Sequence, residues 1–130
     1  MSTYWRGPDY PNEKFVQQAL EHHYANLGYI FIKESNADLV CIDKQGQDKW
    51  VIEAKGKTSS IGLDFRTGLG QLLQGMRETG INYAIAIPEI YQFTTQARKL
   101  APWLRKLLNL HIIFVNEDGQ LRFVSPGADI

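Results

Sequence analysis

The sequence predicts an α/β domain, a mixed central sheet flanked by helices. Three observations carry that expectation. Short apolar runs suited to strands alternate with stretches whose apolar residues recur at helical spacing. The early runs are joined by short turns, which pairs strands antiparallel, and the later ones by helical crossovers, which pairs them parallel. A chain of 130 residues is one domain's worth and can bury about two-thirds of its unfolded surface without staples.

Taken in order, residues 1–11, with Gly7, Pro8 and Pro11, read as an irregular arm. In "NEKFVQQALEHHYANLG", Asn12 is a good N-cap, Phe15, Ala19, Leu20, Tyr24 and Leu27 recur near 3.6-residue spacing, and Gly28 is a stop signal. A helix over 12–27 follows. "YIFIKE", "ADLVCID" and "KWVIEAK" read as three strands, the last two joined by the turn "KQGQ". "KTSSIGLDF" reads as a loop, followed from Phe65 by a helix carrying Leu69, Leu72, Leu73 and Met76 and ended by Gly80. "NYAIAIP" has the continuous apolar character of a central strand, closed by Pro88. "TTQARKLAPWLRKLLN" is a further helix that Pro102 kinks or splits, and "LHIIFV" and "LRFVS" form a C-terminal hairpin about "NEDGQ". The order is αβββαβαββ within one domain spanning 1–130.

Composition narrows the function classes only in part. Fourteen basic and fourteen acidic residues cancel, so net charge names no partner. Residues 1–54 are mildly acidic and 55–130 mildly basic, which is compatible with a polyanion-binding face without requiring one. Cys41 is alone, so no internal disulfide forms; in "ADLVCID" it reads as a small buried hydrophobe. No apolar run approaches the ~18 residues of a membrane span, and the N-terminus lacks an apolar signal core. The expectation is a soluble cytoplasmic protein without a membrane partner.

The chemistry concentrates in "WVIEAKGK". Side chains alternate across a strand, so Glu53, Lys55 and Lys57 project to one side and Ile52 and Ala54 to the other. On periodicity alone, a solvated, self-paired face on an edge strand is a better account of that pattern than a site is. Asp38 adds weight to the second account. A hairpin about Gly46 sets strands 38–43 and 49–55 side by side, so Asp38 and Glu53 meet at its open end with Lys55 beside them. Two close carboxylates stay ionised most readily around a cation, and oxygen-only ligation suits Mg²⁺ or Mn²⁺ rather than zinc. Such an ion polarises a phosphoryl oxygen and acidifies water, while a lysine stabilises the developing charge.

"AD" at 37–38 followed by "EAK" at 53–55 resembles the PD-(D/E)xK nuclease superfamily, whose restriction-endonuclease-like fold has an αβββαβ core, the order read here over residues 12–87. Ala37 stands where the family's name has proline. The resemblance implies Asp38 and Glu53 as metal ligands, the Ala54 carbonyl as a third donor, and Lys55 as the catalytic lysine. It also points to Glu13 on the first helix, where an acid favoured by the helix dipole is the other explanation. Gln71 and Gln74 match glutamines found after the catalytic strand in some subfamilies, though a polar helix surface explains them too. Lys57, Thr58, Ser59, Ser60, Arg66 and Thr67 lie in or beside the loop leaving the strand, where they offer donors to phosphates.

Other candidates have simpler explanations. His22, His23 and His111 lack zinc spacing, Gly68 and Gly70 lack the Lys-Ser/Thr of a phosphate loop, and Arg98, Lys99, Arg105 and Lys106 read as the solvated side of a helix. The resulting expectation is a metal-dependent nuclease acting on DNA, of restriction, resolvase-like or repair type. Its rivals are a non-catalytic nucleic-acid-binding or assembly module that retains the fold, and a purely structural domain. A homodimer is expected for cutting two strands, with Tyr4, Trp5 and Tyr10 of the arm, or Trp103, at its seam.

Overall fold

The computed structural model describes residues 9–34 and 36–130. The chain runs α1 (Glu13–Asn26), β1 (Ile30–Phe31), β2 (Leu39–Ile42), β3 (Lys49–Ala54), α2 (Ile61–Gln74), β4 (Asn82–Pro88), α3 (Tyr91–Ala97), α4 (Pro102–Leu108), β5 (Leu110–Val115) and β6 (Leu121–Val124). Among the described residues, six strands form one sheet in sequence order. β1, β2 and β3 pair antiparallel, β3, β4 and β5 parallel, and β5 and β6 antiparallel, so the sheet is mixed.

Alternation along the strands sorts the core into two layers. Ile52, Ala54, Ala84 and Ala86 pack with Phe15, Val16, Ala19, Leu20 and Tyr24 of α1. On the opposite face Ile85, Ile87 and Ile112 meet Phe65 of α2 and Phe93 of α3, and Val40 and Val51 meet Leu72 of α2. β4 is thus small-sided toward α1 and bulky toward α2 and α3.

Local chemistry sets the element boundaries. The Asn12 side chain accepts a hydrogen bond from the Phe15 amide at 2.9 Å and caps α1. In the β2–β3 turn, Asp43 Oδ1 accepts from the Gln47 and Asp48 amides at 2.7 and 3.0 Å, and Gly46 supplies a φ of 73°. Pro102 splits the helix expected over 94–109, because Ala101 before it is held extended at ψ 143°. The first piece, α3, also begins earlier than expected, at Tyr91.

Several expectations need correction. β1 is two residues long rather than six, although Ile32 still donates to the Val40 carbonyl. α2 begins at Ile61, inside the stretch read as a loop, with the Thr58 hydroxyl donating to Asp64 of its first turn. It ends at Gln74, where Gly75 donates to the Gln71 and Leu72 carbonyls, not at Gly80. Arg105 is no part of a solvated face. It is buried, and its guanidinium donates to the carbonyls of Leu100, Ser125 and Ala128, tying the C-terminal residues to the α3–α4 corner.

One residue expected at a dimer seam is used within its own chain. Tyr10 folds back on its own chain, with its ring 5.1 Å from Phe15 and its hydroxyl donating to the Val115 carbonyl. Tyr4 and Trp5 lie outside the described residues. Trp103 and Leu107, one turn apart on α4, are 69% and 73% exposed. Among the described residues, no helix is long and apolar enough to cross a membrane.

Candidate metal centre

The site is built from the β2–β3 hairpin, the start of α1 and one face of α2. Leu39 pairs with Ile52, so one step further along the ladder Asp38 stands opposite Glu53. Val51 faces α2, and strand alternation sends Glu53 and Lys55 the same way. Asp38 is exposed and Glu53 is buried, at 5% exposure.

The two carboxyl groups lie within hydrogen-bonding reach of each other. Asp38 Oδ2 also accepts from the Ala54 amide at 2.8 Å. An amide and a carbonyl of one strand residue point to the same neighbour in an antiparallel ladder, so the Ala54 carbonyl is directed toward the Asp38 side as well. Burial, the Asp38 charge and the hydrogen bond to Asp38 push the Glu53 carboxyl up to about 8, while Lys55 opposes them. Glu13 is within electrostatic range of Asp38 and Lys55, and burial and then Asp38 raise its pKa.

Two glycines make this gathering possible. A Cβ on Gly56 would lie 2.0 Å from the Glu13 nitrogen and 2.3 Å from the Asn12 carbonyl carbon, so the backbone of α1 rests directly on the end of β3. A Cβ on Gly68 would lie 2.7 Å from Lys55 Cε, so the lysine stem crosses α2 where α2 has no side chain. Gly68, set aside as a phosphate-loop glycine, has this different task.

Glu53 opens into a recess of about 460 Å³ that Gln71 and Gln74 also line. Asn36 and Arg77 line it too, and sequence reasoning missed both. Arg77 lies beyond the end of α2 at Gln74, where helical spacing no longer places a side chain. Asp64, also missed, lies close enough to Glu13 to raise its pKa. Lys57, Thr58, Ser59, Ser60, Arg66 and Thr67 are not in this recess. Thr58 is occupied by Asp64, and the Arg66 guanidinium leans toward Gly62, beside Gln96 of α3.

Among the described residues, no group of three or more His, Cys, Asp or Glu side chains is placed to hold a metal ion. The donors available are two carboxylates and a backbone carbonyl. They nevertheless fit a hard divalent ion, because the two carboxyl groups lie within hydrogen-bonding reach of each other and a cation between them would relieve the repulsion that raises the Glu53 pKa. Comparison with family models, curated proteins and solved structures finds no match.

A pH dependence follows from the pair. A carboxyl whose pKa is raised on folding stabilises the fold below its unfolded value, and that stability is lost as pH rises through the folded value. In metal-free buffer the Glu53 contribution therefore falls between about 4.5 and about 8, by at most about 1.4 kcal/mol per pH unit. Burial lowers the pKa of His23 and His111 and works in the opposite direction. The comparison with Glu53→Gln isolates the carboxyl. Thermal midpoints of the wild type should fall relative to the variant across this window, and parallel profiles would contradict the assignment.

Proposed function

We propose that the protein is a divalent-metal-dependent phosphodiesterase that cleaves nucleic acid, DNA in particular. The observation that supports this reading is the convergence of Asp38, Glu53, Lys55 and Glu13 at one end of the sheet, with the register setting the two carboxylates opposite each other. The αβββαβ order of the first six elements matches the core expected for a PD-(D/E)xK nuclease, and assignment to that fold is part of the proposal.

In this reading Asp38, Glu53 and the Ala54 carbonyl hold Mg²⁺ or Mn²⁺. When bound, the ion supplies Lewis-acid charge at the scissile phosphate and acidifies the attacking water. Lys55, fixed over Gly68, places its ammonium beside the carboxylates, where it stabilises negative charge gathering on the phosphate. Glu13 orients solvent from the α1 side. Asp38, held by the Ala54 amide, keeps one rotamer as the charges change.

The test is cleavage of labelled DNA by purified protein in Mg²⁺ or Mn²⁺, in Ca²⁺ and in EDTA. Turnover is expected with the first two, binding without comparable turnover in Ca²⁺ because its looser coordination orients water poorly, and none in EDTA. Binding without cleavage in any metal would favour the non-catalytic module. A twofold dimer with Trp103 at its seam suits two-strand cutting, and sedimentation equilibrium distinguishes it from the 14.8 kDa monomer.

A further inference from the structure

The recess beside Glu53 has a shape and lining that duplex binding does not explain. It is bordered by residues 36–37 before β2, by β3 and by the C-terminal end of α2 with the residues just beyond it, and it includes Val51 and Glu53 but not Lys55. Its floor is apolar, from Val51 and Leu72, which are 8% and 3% exposed. Three amides, Asn36, Gln71 and Gln74, and one guanidinium, Arg77, stand around it. None of these four side chains hydrogen-bonds or ion-pairs with another described residue.

Amide side chains match base edges, offering a donor and an acceptor side by side. To read a paired base, they must be carried into a groove on a protruding element. Here they line a concavity, so only a base that leaves the stack can reach them. About 460 Å³ is within the range of pockets that take one small molecule. Val51 and Glu53 are about 7 Å apart along the strand, which is one nucleotide's step in an extended strand. An apolar floor under an extruded base and polar groups at its edge are how unpaired bases are held generally.

We propose that this recess seats one unpaired nucleotide next to the scissile phosphate, with Gln71, Gln74 and Asn36 at the base edge and Arg77 on the neighbouring phosphate. The substrate is then a strand with at least one single-stranded or extrahelical nucleotide rather than a continuous duplex. The inference rests on the nuclease reading above and narrows its substrate.

One sequence presented in Mn²⁺ as a single strand, as a continuous duplex and as a duplex with one unpaired nucleotide tests it. Wild-type kcat/KM is expected to be about 10-fold or more higher on the two forms with an unpaired base than on the duplex. The double variant Q71A/Q74A should bring that ratio near one, and Arg77→Ala should raise KM on all three forms with kcat little changed. All three side chains are exposed, so unchanged thermal midpoints verify folding. Equal cleavage of all forms by the wild type, or an equal loss on all forms in the double variant, overturns the inference and leaves the nuclease reading standing. No cleavage of any form, or cleavage undiminished in Glu53→Gln, overturns the reading beneath it.

Discussion

Glu53→Gln, Asp38→Asn and Lys55→Ala are each expected to lower metal-dependent cleavage by about 10²–10³-fold, the scale on which single charge-stabilising groups act. The two amide variants keep the shape of the carboxylates and remove their charge. Asn at 38 can still accept from the Ala54 amide, which the aspartate does now, so the fold should persist. Glu53→Gln removes a buried acid crowded by Asp38 and should match or exceed wild-type stability near pH 8. A second variant separates position from identity. Gly68→Ala puts a methyl 2.7 Å from Lys55 Cε, at the flexible end of that side chain. It should cost activity by moving the ammonium, with a thermal midpoint close to wild type. Single-turnover rates beside melting curves measure both. Full activity in Gly68→Ala would mean that the lysine position is not what matters.

Gly56→Ala is expected to be the most destabilising single substitution near the site, costing about 3 kcal/mol or more. The added carbon meets main-chain atoms of Asn12 and Glu13 at 2.0–2.6 Å, and backbone cannot step aside as a side chain can. The same junction is stitched by the Lys57 amide, which donates to the Pro11 carbonyl at 2.8 Å. Parting α1 from β3 would also carry Glu13 away from Lys55, so activity should fall further than stability alone explains. Gly70→Ala supplies the contrast. Nothing lies within 4 Å of its would-be Cβ, and it sits inside α2, so alanine should stabilise by about 0.5–1 kcal/mol. Denaturant unfolding of the two variants against wild type decides the matter. Comparable stabilities would show that the close approach at Gly56 is relieved at little cost.

What could be read from the sequence was whatever periodicity and turn chemistry determine. A strand has a period of two, so Glu53 and Lys55 were legible as one face, and the turn marked by Gly46 brought residues near 38 beside residues 53–55. The register that sets Asp38 opposite Glu53 was fixed only by the observed Leu39–Ile52 pairing. β4 and β5 were legible to the residue, since "NYAIAIP" and "LHIIFV" are buried on both faces and end at a proline or a turn. Arg105 was not legible. Its partners are the carbonyls of Leu100, Ser125 and Ala128, and a carbonyl has no signature in sequence. The start of α2 was hidden because Thr58, Ser59, Ser60 and Gly62 have loop composition. What organises that turn is the Thr58–Asp64 hydrogen bond, between residues six apart. Asn36 and Arg77 reach the recess from loops beyond β1 and α2, where no period constrains a side chain.

The central claim is that Asp38 and Glu53 share one divalent ion. Anomalous diffraction from a crystal soaked in Mn²⁺ near pH 8 tests it most directly. The account predicts one strong peak between the two carboxyl groups, within bonding distance of both and of the Ala54 carbonyl, and lost in Glu53→Gln. A peak held by other residues, or none between this pair at saturating Mn²⁺, would contradict it.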